Sequence, residues 1–448
     1  MERVLGLPDS RNLDFLSRDE IREIQSKKIK ALVRYAWDEI PFYRRLWNRY
    51  GVSLDDINSL DDFIKKIPTF TLKDIRESIN NYPPYGDYQG IDVSRVSRIM
   101  SSGGTTGTPR PYFQTKEDWD NVKILWSRVL DLIGVKPGDI VQISFGFSTL
   151  IAGPGCCDGV IELGATVVPT STGSITPAEQ QVRIAKDWGT TVLICTPTFA
   201  LHLANTAKKI GIDPLKLNIR LVGTAAEPLP KATRERIDSE FNCKTLDIWG
   251  SVENGSAAGA ECGEYAGIHI LEDSFFYEIF DPESLKPARE GEDGVIVMTT
   301  LYRRAAPMIR YNTMDITSAR IDRCGCGRNT LRLTSPLKGR ADDMIKFKGI
   351  FLYPPAVEEI IRGNRECIGE FIIIADRIGD NDTLTVKVEV FPTVDKNRLK
   401  KELEERIKGV TGLRMGVELL PEGEVRRLSL GFGGYKSTHF IDKRPKYD

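Results

Sequence analysis

A turn that holds an anion must aim several backbone N–H groups at one point, and the sequence offers such a turn in Ser101–Arg110, SSGGTTGTPR. Glycine lets successive N–H groups converge, threonine hydroxyls add uncharged donors, and a segment of this kind buries too little to belong to a core. The lysine-bearing P-loop, G-x-x-x-x-G-K-[ST], is excluded because no lysine follows these glycines. Taken alone, the segment reads equally well as a phosphate cradle or as an exposed surface loop. A second chemistry-bearing set is sulfur. Cys324 and Cys326 form CGC within DRCGCGRN, while Cys262 lies in ECGEYAGIHI with His269 seven residues on. Three thiols and one imidazole are the usual inventory of a tetrahedral structural zinc site. The C-x-C spacing is tighter than the common C-x-x-C, so reduced thiols and a packed histidine remain the alternative. Cys156, Cys157, Cys195, Cys243 and Cys367 read as small buried residues. His202 and His439 have no evident partner.

The elements that must position these residues change character along the chain. DEIREIQSKKIKALVRYAWDEI carries Ile21, Ile24, Ile29, Leu32, Val33 and Ala36 at helical spacing, with Pro41 beyond its end, and residues 1–95 read as helices and turns. From Gly134, the apolar runs DIVQISF, ATVVPT, TTVLICT and IRLVGT alternate with helical patterns such as AEQQVRIAKDW and TFALHLANTAKKI. Buried strands separated by helices predict mainly parallel sheets in an α/β domain. FFYEIF, GVIVMTTL, PMIRYN and TLRLT predict a β-rich subdomain after Leu271. A compact α+β module follows, with the charged helix KNRLKKELEERIKG presenting a solvated face. The expected division is a large N-terminal domain, 1–340, and a small C-terminal domain, 341–448.

At 448 residues the chain is too long for one ordinary core. Its 62 basic and 63 acidic side chains leave a net charge of −1, which points to neither nucleic acid nor an anionic membrane. No apolar run reaches the ~18 residues of a membrane span. The charged N-terminus and sparse cysteines lead to the expectation of a cytoplasmic protein.

Four further segments accompany the glycine-rich turn: TAAEPLP (Thr224–Pro230), DIWGSVENG (Asp247–Gly255), MIRYNTMDIT (Met308–Thr317) and GRADDMIKFKG (Gly339–Gly349). In this order the five motifs resemble those of the acyl-adenylate-forming superfamily. The segments YAWDEIPFYRRLW, SLDDFIKKIPTFTLKDIRES, LGATVVPTSTG, CTPTFALHLA and GIHILEDSFFYEI resemble its phenylacetate-CoA ligase branch over nearly the whole chain. That resemblance implies an ATP-dependent ligase that turns an aromatic, phenylacetate- or benzoate-like acid into an acyl-adenylate and then a CoA thioester, releasing AMP and pyrophosphate. It implies ATP, Mg²⁺ and CoA as cofactors, a structural Zn²⁺ on Cys262, His269, Cys324 and Cys326, and a C-terminal domain that moves between half-reactions.

Residue by residue, the resemblance assigns Ser102, Gly104, Thr105, Thr106 and Gly107 to the β- and γ-phosphates, with Gly103 where many relatives carry serine. Arg110 stands near a common superfamily lysine, and a solvated arginine is its equal reading. Ala226, Glu227, Pro228, Asp247, Trp249, Gly250 and Ser251 would surround the nucleotide, with Trp249 where the family usually has tyrosine. Glu253 would bind Mg²⁺, and Asp315 with Arg340 would take the ribose hydroxyls. Lys436, in the stretched segment LSLGFGGYKSTHFIDKR, would reach the carboxylate and α-phosphate. Asp342 would be the hinge and Gly349 would flank the pantetheine arm. Phe145, Phe147, Pro154, Pro197 and Ala225 are the expected walls of the acyl pocket, although the same residues also suit a core. No base for the thiol is evident, and a homodimer stays open. Two rivals remain at this stage. One is an adenylating enzyme with another acceptor (a carrier protein, an amine, or AMP transfer as in coenzyme F390 synthetase). The other is a non-enzymatic protein that kept the nucleotide fold.

Overall fold

The computed structural model describes residues 11–102, 109–281, 286–334, 339–340, 345–347, 350–352, 354–378, 381–429 and 439–444. By compactness the chain forms two units, Met1–Pro169 with Leu246–Leu337, and Thr170–Thr245 with Lys338–Asp448.

The first unit opens with the helix Arg18–Glu39, started by a capping box between Ser17 and Glu20. Its apolar face buries Ile21, Ile29, Leu32, Val33 and Ala36, as the spacing predicts. Pro41 does not simply end this helix: it supplies the first turn of the next, Pro41–Arg49, where its missing N–H costs nothing. The helix Lys116–Ile133 is started by Thr115 and Asp118. Buried Asp118 also accepts the N–H groups of Arg304 (2.8 Å) and Ala305 (3.0 Å), so one carboxylate both caps a helix and fixes a loop. The helix Ala152–Leu163 crosses the same face so closely that a Cβ on Gly159 would lie 2.3 Å from that of Trp126.

DIVQISF and ATVVPT form the parallel strands Ile140–Ile143 and Thr166–Pro169. The β-rich region is antiparallel: Phe275–Phe280, Asp293–Thr300, Tyr311–Arg320, Arg332–Leu333, Ile268–Ile270, Ser256–Glu261 and Lys244–Ser251 pair in that order. Arg98–Ser102 and Arg110–Gln114 form a separate hairpin, with Ser102 opposite Arg110. Beneath the strands, Arg128 donates to both oxygens of Asp273 (3.1 and 2.9 Å) and to Asp14 (2.6 Å), all three side chains being buried.

In the second unit, TTVLICT and IRLVGT become the parallel strands Val192–Cys195 and Leu221–Thr224, wrapped by the helices Ala178–Asp187, Pro197–Lys209 and Lys231–Phe241. The C-terminal module has a four-stranded sheet in the order Gly416–Leu420, Asn381–Val390, Cys367–Ile378, Phe440–Asp442. The helices Pro354–Arg362 and Lys396–Thr411 cover it. The charged helix buries only Leu399, Leu403 and Ile407, one stripe of an otherwise solvated surface. Among the described residues, no helix is long and apolar enough to cross a membrane.

Candidate active site and metal centre

The glycine-rich turn is the connection of the hairpin: Gly104, Thr105, Thr106 and Gly107 lie outside the described residues, but Ser102 and Arg110 pair across its base. Alternation along Arg110–Gln114 puts Arg110 and Tyr112 on one face of the strand. Both meet Glu253. The Tyr112 hydroxyl donates to Oε1 at 3.0 Å, and Arg110 Nη2 stands 3.7 Å from the same oxygen. Burial, with Glu253 next in weight, pushes the Tyr112 phenol well above its ordinary value, so it stays a proton donor. Sequence reasoning missed Tyr112, although the i,i+2 spacing from Arg110 was visible in RPYFQ.

Glu253 sits in the tight turn between the strands Lys244–Ser251 and Ser256–Glu261. Fully buried Arg303 fixes the backbone there, donating to the carbonyls of Val252 (3.4 Å), Glu253 (3.3 Å) and Phe113 (3.2 Å), and so ties turn to hairpin. Gly255, at φ 76°, is required here: a Cβ would lie 2.7 Å from the Tyr302 hydroxyl and 2.8 Å from Arg303. Asn254 takes two bonds to the Ser251 hydroxyl, each 3.1 Å, and accepts the Tyr277 hydroxyl at 2.6 Å. Trp249 is nine-tenths buried, and its indole N–H donates to Tyr277 at 3.1 Å. Burial raises the Tyr277 phenol, and the nearby Asp315 carboxylate adds to the effect. Tyr277 therefore joins the Glu253 turn to the strand that bears Asp315. Asp247 is buried, its N–H held by Glu261 at 2.9 Å, and the strand narrows at Gly250 against Ala257. Phe145 is buried, Phe147 exposed and Pro154 half-buried.

In the second unit, Ala226 has φ 71°, left-handed for a residue with a side chain. The following Glu227 is buried, its carboxylate taking the N–H (3.2 Å) and hydroxyl (2.6 Å) of Thr198 at the start of the helix Pro197–Lys209. Pro197 and Ala225 are buried and Pro228 is half-buried. Asp342, Gly349 and Lys436 lie outside the described residues, and of Ser102 and Arg340 only the backbone is described. His439, which has no evident partner in the sequence, stacks on Phe371 with ring centres 4.6 Å apart and planes 8° apart.

The sulfur set does assemble. The ligand atoms of Cys262, His269, Cys324 and Cys326 all lie within 4.8 Å of one another. Two thiolates ~2.3 Å from a tetrahedral zinc are ~3.8 Å apart, and a thiolate and an imidazole nitrogen ~3.5 Å apart. Cys262 and Cys324 are separated by 3.8 Å, and Cys326 Sγ and His269 Nε2 by 3.5 Å. Burial pushes His269 down to about 3, so the ring is neutral, and Thr330 takes its Nδ1 at 3.0 Å, leaving Nε2 to face the thiols. The four residues therefore fit zinc.

Two family models match the chain: the AMP-binding enzyme family over residues 72–301 and the AMP-binding enzyme C-terminal domain over 349–444. Phenylacetate-coenzyme A ligase from Thermus thermophilus is 33% identical, over 93% of this chain and 96% of that protein. The same enzyme from Aromatoleum evansii is 32% identical over 98% of each. Among solved structures, 2-hydroxyisobutyryl-CoA ligase in its postadenylation state with 2-HIB-AMP superposes with a TM-score of 0.89 at 26% identity, over 98% of this chain and 94% of that one. Near-complete coverage at this identity, with the five motifs in order on the matching fold, means that the chain belongs to the phenylacetate-CoA ligase family of AMP-binding enzymes.

Proposed function

We propose that this protein is an ATP-dependent acid–CoA ligase for an aromatic, phenylacetate- or benzoate-like acid. One acid oxygen attacks the α-phosphorus of ATP, and the bond to the bridging oxygen of pyrophosphate breaks. The CoA sulfur then attacks the acyl carbon of the adenylate, AMP leaves, and the thiol proton is lost to solvent or a base. The observation that carries this reading is the meeting of Glu253 with the base of the glycine-rich hairpin through Arg110 and Tyr112. An anchored carboxylate and an N–H-rich turn are thereby held side by side, as a magnesium-bound triphosphate requires.

Mg²⁺ bound at Glu253 would supply neutralisation of phosphate charge. The protein's own groups do the positioning. Ser102, Gly104, Thr105, Thr106 and Gly107 cradle the phosphates. Trp249, Gly250, Ser251 and Asp247 line the nucleotide with Ala226, Glu227 and Pro228. Asp315 and Arg340 take the ribose. Lys436 approaches the α-phosphate, Asp342 serves as hinge between domains 1–340 and 341–448, and Gly349 leaves room for pantetheine. Phe145, Phe147, Pro154, Pro197 and Ala225 wall the acid. Zn²⁺ on Cys262, His269, Cys324 and Cys326 holds the β-rich region together and takes no part in the reaction. All eight cysteines are free, which suits a cytoplasmic protein.

The test is ATP–pyrophosphate exchange across a panel of aryl and alkyl acids, followed by mass spectrometry with CoA present. Acid-dependent exchange and an acyl-CoA product are expected, strongest for aryl acids. Exchange without thioester would move the acceptor elsewhere, and no exchange with any acid would refute the ligase reading.

A further inference from the structure

A fully buried arginine in the C-terminal module has no part in the assignments above. Arg362 ends the helix Pro354–Arg362, its side chain 0% exposed, beside Glu358 one turn earlier at 2%. Arg362 Nη1 and Glu358 Oε1 are 2.8 Å apart, and the apolar residues Val357, Ile360 and Ile361 pack around them. Such a pair is no more stabilising than apolar residues of the same volume, so its placement calls for another reason. The second guanidinium nitrogen supplies one. Nη2 donates to the Thr198 hydroxyl at 2.5 Å, and that hydroxyl passes its own proton to Glu227 Oε2 at 2.6 Å. One hydroxyl can accept and donate at once, so Arg362, Thr198 and Glu227 form a directed relay. At its far end stands Ala226, whose left-handed backbone needs outside support to persist.

We propose that Arg362, oriented by Glu358, is a positioning residue for ATP: through Thr198 it fixes the Glu227 carboxylate and hence the turn Thr224–Pro228. This rests on the ligase reading, in which that turn flanks the nucleotide. Seating of the module does not depend on the relay alone. Ala232 N–H also donates to Glu359 (3.2 Å), and Arg236 to the Cys367 carbonyl (3.0 Å). Loss of Arg362 should therefore loosen the turn while the module stays in place.

The experiment measures KM values by acid-dependent exchange and thioester formation for wild type, Arg362→Lys, the paired Arg362→Met/Glu358→Leu, and Thr198→Val. The double variant removes both buried charges together, and Thr198→Val breaks the relay while leaving the ion pair whole. Both should raise KM for ATP at least fivefold, with KM for CoA and kcat within about twofold. Arg362→Lys, which keeps one donor, should recover part of the loss. Combining Thr198→Val with the double variant should add little, because both cut one path. KM for ATP unchanged in Thr198→Val and in the double variant would overturn the proposal, as would an equal loss in every parameter. Wild type without acid-dependent exchange would overturn the ligase reading and this proposal with it; an active wild type with unaffected variants would overturn this proposal alone.

Discussion

A carboxylate that must meet a divalent ion works best with one oxygen already fixed and its approach angle set. Tyr112 does this for Glu253, and losing a hydrogen bond to a charged group typically costs ~1.5–3 kcal/mol. Tyr112→Phe should therefore lower kcat/KM at limiting Mg²⁺ by roughly 10-fold to 100-fold, and raised Mg²⁺ should recover most of it. Magnesium titration of the exchange rate checks this, and a loss untouched by Mg²⁺ would separate Tyr112 from the metal. Asp273 is the residue where the fold meets pH. Burial works against its charge, yet Arg128 with its hydrogen bonds, Lys28 and Ser274 more than offset it, and the carboxyl is held below the ordinary 3.8. A lowered acid pKa means that the unfolded chain binds the proton first. The stabilisation is complete above the unfolded value and is lost as pH falls below about 3.8 toward the folded value. Asp273→Asn leaves Arg128 without its main partner. It should cost ~3–5 kcal/mol at neutral pH and flatten the melting temperature's acid limb, read by calorimetry from pH 7 to pH 3.

At the scale of elements, the metal turn does more than close on itself. Arg328 and Asn329, just past Cys326, reach the N-terminal segment: Arg328 is 3.6 Å from Asp14, and Asn329 donates from its side chain to the Leu16 carbonyl (3.2 Å) and from its N–H to Asp14 (3.2 Å). Chelation of zinc should therefore lower the melting temperature and raise hydrogen exchange around residues 11–18 together with that of the turn itself. Protection unchanged at 11–18 would confine the metal to a local staple. The elements themselves were legible: alternating apolar runs marked every long strand, and the capping residues Ser17 and Thr115 sit where helices begin. The Cys₃His set was legible as an inventory, while its closure depends on Cys262 and Cys324 being brought together by strand order, which spacing does not encode. Tyr112 and Arg303 stayed hidden for the same reason. Each acts across the fold on a partner far along the chain, and a buried tyrosine in a hairpin reads as core until its partner is known.

For the molecule as a whole, the sequence texture separates the C-terminal module well, but not its company: residues 170–245 form one compact unit with the chain beyond 337. Contacts such as Arg362 with Thr198 decide this, and they join helices 164 residues apart with no shared motif. The same module carries the assignment most open to test, Lys436. Three residues after it, His439 stacks on Phe371 and its carbonyl accepts the Ile373 N–H at 2.8 Å; Phe440–Asp442 then pairs in parallel with Ile373–Ala375. The lysine therefore hangs on a tether of at most ~10 Å from a fixed strand, short enough for the module to deliver it to one place. A cation placed on the α-phosphate stabilises charge that develops only as the acid oxygen attacks, so its value lies in the first half-reaction. Lys436→Ala should cut acid-dependent pyrophosphate exchange by roughly 100-fold or more, ~3 kcal/mol of barrier, while synthetic acyl-adenylate plus CoA still gives thioester within a few-fold of the wild-type rate. Normal exchange in the variant would leave the lysine in solvent, and parallel loss of both half-reactions would make it a structural residue of the module.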